Sequence, residues 1–262
     1  MPELPEVEMF RGYMNSTSLK QRIINVEVQD SYVLKSISAC ELTRRLKGRR
    51  FEKSHRHGKH LFVRASDELW LRLHFGMTGS LEYLKHDAVP SKTARVIFRF
   101  ANNCRLAFDD QRKFGEIELI KDLDEFLQTR GLGPDALEIS LSQFKAIFGK
   151  HRSAVKTILL NQRLIAGIGN LYADEILFRT RIHPASEAAR VSDKDLKRLF
   201  RATHYVLEKA ITLKTDFNRF PKSWLLTHRG KHGKCPRCGR AVKSATIGGR
   251  TSWFCVHCQK RI

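Results

Sequence analysis

No apolar run in this 262-residue chain approaches the length of a membrane span, so no transmembrane helix is expected. The opening MPELPEVEMF is acidic and lacks the basic-then-apolar pattern of a secretory leader. The cytoplasm is the expected compartment. Acidic residues are in short supply, 27 against 48 basic ones, for a formal charge of +21. An imbalance of this size implies a polyanionic partner, held by counterion release and loosened steeply by salt. Charge alone does not separate DNA from RNA, or an enzyme from a packaging protein. The five Tyr and three Trp are scattered, which argues against an RNA-binding protein that stacks single-stranded bases on clustered aromatics. There is no internal repeat and no low-complexity tail.

Only six cysteines are present, and four of them form Cys235-Pro-Arg-Cys238 and Cys255-Val-His-Cys258, separated by sixteen residues. Two CxxC knuckles at that spacing read as a four-thiolate zinc site, with a pair of disulfides as the competing reading. A reducing cytosol favours the metal. The sequence between the knuckles suits a hairpin, with Gly248-Gly249 supplying a turn that needs positive φ. One structural Zn2+ would then pin a basic fingertip too small to bury its own core. Cys40 and Cys104 stand alone and are expected to be small buried apolar side chains.

The rest of the chain divides by pattern. A helix is expected from about Pro5, with Pro at its first position and Glu6 and Glu8 in its first turn. Short β-rich segments follow at 23–28, 60–63, 69–73, 96–100 and 117–120, which point to a sandwich or barrel. Gly131-Leu-Gly-Pro-Asp135 breaks the pattern. Helical segments are then expected near 141–149, 152–161, 170–180 and 192–213, and an irregular stretch from Asp216 to Lys234 leads to the cysteines. The expected class is α+β: a helix plus β-sandwich over 1–133, a helical domain over 134–232 and a zinc hairpin over 233–262.

Loss of the initiator Met would leave Pro2 as a secondary amine, with an α-amino pKa of about 8. Such an amine can attack a sugar carbon and form an iminium, by the covalent logic of a Schiff-base lysine. Glu3 and Glu6 stand close enough in sequence to move protons. Gly167-Ile-Gly-Asn170 has its own physical reading: the glycines allow close approach, and Asn170 is a good N-cap for a helix whose amides could seat a phosphate.

MPELPEVE, His57-Gly-Lys-His60, His74-Phe-Gly-Met-Thr-Gly-Ser-Leu81, Asp110-Gln-Arg-Lys-Phe-Gly115, Gly167-Ile-Gly-Asn-Leu-Tyr-Ala173 and the cysteine module occur in this order. In that order they resemble the formamidopyrimidine-DNA glycosylase / endonuclease VIII family of base-excision repair enzymes, essentially end to end. The resemblance implies that Pro2 is the nucleophile at C1′ and that Glu3 is the acid/base, with Glu6 a supporting carboxylate. Lys59 would contact phosphate and assist catalysis. His74, Lys156, Asn170 and Arg250 would hold DNA phosphates. Met77, Arg112 and Phe114 would fill the gap left by the flipped base, with Arg112 facing the orphaned partner. The implied activity is excision of oxidised bases followed by β,δ-elimination at the abasic sugar. The implied substrate is double-stranded DNA with a damaged base or abasic site, bound by a monomer in a cleft between domains, and the expected location is a bacterial-type cytoplasm with the protein nucleoid-associated through DNA. A non-catalytic zinc-dependent binder of damaged DNA would explain the charge and cysteines equally well, but not the Pro-Glu start beside Lys59.

The chain departs from this pattern in one place. Family members that excise 8-oxoguanine usually carry a glycine-bearing mobile loop between the last helix and the zinc finger. Here no glycine occurs from Leu171 to Arg229, and the corresponding segment Lys214–Lys222 is short and contains Pro221. Ring-opened purines or oxidised pyrimidines are therefore expected to be better substrates than 8-oxoguanine.

Overall fold

The computed structural model describes residues 1–262, which form two compact units, Met1–Arg130 and Gly131–Ile262. No helix is long and apolar enough to cross a membrane.

The first unit opens with α1 (Leu4–Thr17). Eight strands follow: β1 (Ile23–Val28), β2 (Phe51–His57), β3 (His60–Ala65), β4 (Trp70–His74), β5 (Ser80–Leu84), β6 (Ala94–Phe100), β7 (Arg105–Asp109) and β8 (Glu116–Ile120). They pair antiparallel in two four-stranded sheets, β1-β6-β7-β5 and β2-β3-β4-β8. Alternate residues of both sheets meet in one core that includes Phe51, Leu61, Val63, Leu71, Leu73, Phe98, Phe100 and Phe108. The five expected β segments each coincide with a strand, although Leu69 lies just before β4, and β2, β5 and β7 are additions. β2 reads FEKSHRH and carries little apolar signal, because pairing with β3 rather than burial makes it a strand.

Two short helices are also additions, α2 (Ala39–Leu46) and α3 (Leu123–Arg130). In α2 Leu42 and Leu46 turn inward, which leaves Cys40 exposed, whereas Cys104 is buried. The expected burial of Cys40 is thus corrected by the helix face it occupies. The start of α1 is corrected too. Glu3 is the N-cap, Pro5 lies second, and only Glu6 is acidic in the first turn.

The second unit contains α4 (Leu141–Gly149), α5 (Val155–Leu160), α6 (Asn170–Thr180) and α7 (Asp193–Thr212), then the hairpin β9 (Lys243–Ile247) and β10 (Arg250–Phe254). Ser140 and Ser192 accept backbone amides at the starts of α4 and α7. α6 is the central helix, with eight of its 11 residues buried. The hairpin packs within this unit, where Phe178 of α6, Leu225, Val242, Cys235 and Cys255 share a small core.

Candidate active site and nucleic-acid interface

The N-terminal residues are held by a reciprocal capping box. Glu6 Oε2 accepts the Glu3 amide at 2.9 Å, and the Glu3 carboxylate accepts the backbone amide of Glu6. The box satisfies amides that a helix start leaves open. It also places Glu3, only 2% exposed, at the positive end of α1, directly after Pro2. α1 packs on β2 and β3. Arg56 links them: its Nε donates to Glu8 Oε2 at 3.0 Å and its Nη1 to the Gly58 carbonyl at 3.3 Å. The β2–β3 turn that carries Lys59 is thereby tied to the helix that Glu3 caps.

His60 and His74 face each other across β3 and β4, with ring centroids 4.9 Å apart. The buried Arg72 guanidinium reaches Glu116 at 2.7 Å, Glu118 at 3.0 Å and His60 Nδ1 at 3.2 Å. His74 Nδ1 lies 3.3 Å from the Gly76 amide, which can only donate. His74 therefore presents a neutral ring with its proton on Nε2, a donor suited to a phosphate oxygen. Burial lowers its pKa to about 4, and the charges of Arg72 and Lys59 add to the fall. His60 is driven down by burial and by His74.

Met77 lies in the β4–β5 loop, Arg112 and Phe114 in the β7–β8 loop, and all three are exposed. The Arg112 guanidinium stands 5.0 Å over the Phe114 ring. These two loops touch: a Cβ on Gly76 would lie 2.6 Å from the Gly115 nitrogen, and φ of 54° at Gly76 also favours glycine.

In the second unit Asn170 is the first residue of α6 and Gly169 is the N-cap, so the expected capping role of Asn170 is corrected. Its side chain bridges to the hairpin instead, with Nδ2 donating to the Thr251 carbonyl at 3.0 Å. The Gly248-Gly249 turn takes φ of 58° and 73°. A Cβ on Gly248 would sit 2.8 Å from Thr157 Oγ1 of α5, so the fingertip is seated on that helix. Arg250 follows the turn and is exposed.

Lys156 is corrected as a phosphate contact. Its side chain is 0% exposed and paired with Asp174 Oδ1 at 2.5 Å. It also donates to Ser252 Oγ of β10 at 2.7 Å. The other Asp174 oxygen accepts the Trp253 amide at 3.0 Å and lies 3.2 Å from Arg229. Burial pushes the Asp174 carboxyl up, and Lys156, Arg229 and Trp253 oppose that rise. This cluster joins α5, α6 and β10. Asp174→Asn leaves the buried Lys156 ammonium and the partly buried Arg229 guanidinium without their carboxylate and is expected to destabilise the protein by about 3–5 kcal/mol. The double change Lys156→Met/Asp174→Leu is expected to recover most of that loss. Urea unfolding of both variants measures it, and equal losses would overturn the assignment.

The sulfurs of Cys235, Cys238, Cys255 and Cys258 all lie within 4.8 Å of one another. Cys235 and Cys258 are 3.8 Å apart, and Cys238 and Cys255 3.5 Å. A tetrahedron with 2.3 Å metal–sulfur bonds has edges of about 3.8 Å, whereas a disulfide needs about 2.05 Å. The donor set therefore fits zinc and not two disulfides. A backbone amide beside Cys238 lowers its thiol to about 7, while burial and the neighbouring sulfurs push Cys258 up to about 12. Four thiols in one small volume resist ionising together, and a dication removes that conflict.

Asp174 and Arg72 carry these arrangements but stood out in no sequence pattern. Asp110 lies inside the motif that contains Arg112, yet nothing local distinguishes it from its neighbour Asp109.

This fold, with a Pro-Glu start, a helical unit and a four-cysteine hairpin, is that of a zinc-bearing DNA glycosylase with abasic-site lyase chemistry. Residues 1–117 match the formamidopyrimidine-DNA glycosylase N-terminal domain, 131–221 its H2TH domain, and 233–261 a zinc finger found in FPG and IleRS. The formamidopyrimidine-DNA glycosylase of Pelotomaculum thermopropionicum is 35% identical over 99% of both chains. That of Listeria innocua is 32% identical over 99% of this chain and 100% of its own. Among solved structures, Lactococcus lactis Fpg with abasic-site DNA superposes with a TM-score of 0.89 at 28% identity, covering 99% of this chain and 100% of that one. A MutM bound to carbocyclic 8-oxo-G DNA gives 0.91 at 30% identity with the same coverage. The chain belongs to the formamidopyrimidine-DNA glycosylase family.

Proposed function

We propose that the chain excises oxidised bases from duplex DNA through a covalent Pro2 intermediate and then cleaves the abasic strand. The observation that carries this reading is the burial of the Glu3 carboxylate at the start of α1, next to Pro2. Once Met1 is removed, the Pro2 nitrogen attacks C1′ and the base leaves with a proton. Glu3 supplies and collects protons as the sugar ring opens, and Glu6 holds Glu3 in place. The resulting iminium acidifies the C2′ hydrogen. Its removal breaks the C3′–O bond, and a second elimination breaks C5′–O. Lys59 and the Nε2–H of His74 hold phosphate from the first unit, and Asn170 and Arg250 from the second. Met77, Arg112 and Phe114 occupy the gap beside the displaced nucleotide, where apolar and planar groups offset lost stacking. Zinc is structural here and enters no step. The active form is a monomer on nucleoid DNA.

The substrate reading rests on the segment before the hairpin. Residues 214–222 hold a tight turn in which Asp216 accepts the Asn218 amide at 2.9 Å. Phe217 leans on Phe220 and Phe220 on Trp224, with centroids 5.0 and 5.1 Å apart. A short, braced segment suits ring-opened purines and oxidised pyrimidines better than a base that needs a closing loop. One lost pocket contact is worth roughly 10–200-fold. Single-turnover excision from matched duplexes should thus release 8-oxoguanine about tenfold more slowly than the other two lesions. Equal rates would overturn the preference, and absence of β,δ products from any lesion would overturn the activity.

A further inference from the structure

We propose that Asp110 is a positioning residue that locks the two gap-filling loops into one wedge, so that Met77, Arg112 and Phe114 enter the duplex together. The proposal rests on the reading of those three side chains as gap fillers.

Asp110 is fully buried, 0% exposed, at the end of β7. Its two oxygens serve both loops. Oδ1 accepts the Thr78 hydroxyl at 2.5 Å and the Arg112 amide at 3.2 Å. Oδ2 accepts the Gly115 amide at 2.6 Å. Thr78 closes the circuit, since its Oγ1 also accepts the Arg112 amide at 3.0 Å. Thr78 is the neighbour of Met77, Arg112 is itself a gap filler, and Gly115 is the neighbour of Phe114. One carboxylate thus holds a backbone or side-chain group at or beside each member of the trio.

The carboxylate is held in turn. The Asp110 amide donates to the Thr93 carbonyl at 3.0 Å, and Arg95 Nε donates to the Asp110 carbonyl at 2.8 Å. There is no slack around it, because a Cβ on Gly115 would come within 2.9 Å of Asp110 Oδ2 and 2.7 Å of the Phe108 ring. Above this base Met77 and Phe114 remain 40% and 52% exposed. Large apolar side chains on a buried, fully bonded polar footing are built to meet something outside the fold. A wedge must hold its shape against base stacking, and a buried polar network with every member satisfied is rigid.

The chemistry of the carboxylate makes the proposal testable. Asparagine has one acceptor oxygen and one donor nitrogen. If that nitrogen replaces Oδ2, it opposes the Gly115 amide. If it replaces Oδ1, it opposes the Arg112 amide. In either orientation one loop loses its anchor. Thr78→Val removes only the bridging hydroxyl, and Thr78→Ser keeps it.

The measurement uses a duplex with a reduced abasic site opposite 2-aminopurine, whose fluorescence rises when its neighbours are displaced. Strand cleavage is followed in parallel at a natural abasic site, in duplex and in single-stranded DNA. Met77→Ala and Arg112→Ala should abolish most of the fluorescence rise. If they do not, the gap-filling reading fails and the assignment with it. Given that they do, Asp110→Asn and Thr78→Val should cut the rise and duplex cleavage by at least tenfold. Single-strand cleavage, which leaves no gap to fill, should change less than twofold, and Thr78→Ser should match the parent. A normal fluorescence rise in Thr78→Val and Asp110→Asn overturns the proposal. An equal loss on duplex and single strand also overturns it, because a role in folding alone does not distinguish the substrates.

Discussion

Protein that has lost Met1, mixed with an abasic-site duplex and sodium borohydride, should leave a covalent adduct that maps to Pro2. The chain that keeps Met1 should leave none. With Met1 attached, the Pro2 nitrogen is a tertiary amide and has no lone pair to offer C1′. With Met1 removed it is a secondary amine whose pKa, about 8, leaves a usable fraction unprotonated at neutral pH. The iminium it forms is what hydride reduces. Glu3→Gln separates attack from proton transfer. The amide still caps α1, but it cannot shuttle a proton, so excision of an intact damaged base should fall by about 10²–10⁴-fold. Circular dichroism should stay unchanged. Glu6→Gln should cost less, because Glu6 acts by holding the Glu3 amide at 2.9 Å. An adduct of undiminished yield with the Met1-bearing chain would place the nucleophile elsewhere. Salt-sensitive DNA binding with neither adduct nor cleavage would favour a non-catalytic binder.

Removal of zinc should be the most damaging change to the second unit. The hairpin's own core is small: Val242 with Cys235 and Cys255, leaning on Phe178 and Leu225. Structural zinc binding contributes on the order of 10 kcal/mol or more to modules of this size, so the metal supplies most of what keeps the hairpin folded. The consequence reaches past the cysteines. Asn170 holds Thr251, Lys156 holds Ser252 and Asp174 holds Trp253, all on β10. Once β10 frays, the phosphate contact proposed for Arg250 is lost and the buried Lys156–Asp174 pair is opened to water. Metal-free protein, or Cys255→Ser, should bind abasic duplex about 10–100-fold more weakly, roughly 1.4–2.8 kcal/mol. One zinc per chain should be released to a colorimetric chelator. The region after residue 233 should become protease-sensitive, while the first unit keeps its unfolding transition. Unaltered affinity and protease resistance without zinc would show that packing on α6 alone holds the hairpin.

Much of this could be read along the chain wherever a local rule applies. The cysteine spacing and the Gly-Gly turn are local features, and the hairpin formed on them. The segments rich in β-branched and aromatic residues, such as 23–28 and 96–100, are legible for the same reason. β2 is not, because FEKSHRH is a strand only in the company of β3. Cys40 is exposed, not buried, because burial depends on which way α2 faces. Lys156 shows the limit most sharply. By motif it belongs with the phosphate contacts, yet its ammonium is enclosed by Asp174, Ser252 and the Thr251 carbonyl. Those partners lie 18 to 96 positions away in sequence, and no local pattern predicts such a pairing.

The sequence by itself determined the charge, the zinc ligands, the order of the motifs and the presence of a proline–glutamate start. Each of these is a matter of residue type and short spacing. Only the tertiary structure decided which groups act as supports. Asp110 became the joint between two loops because β5 and β7 pair and bring Thr78 beside Arg112. Asp174 became the anchor of the hairpin because α6 packs on β10. Arg72 could reach His60, Glu116 and Glu118 together only once β3, β4 and β8 lay side by side. Burial gives these charges their force, since a carboxylate or guanidinium out of water must find its partners within the fold, and burial is a property that no residue has alone.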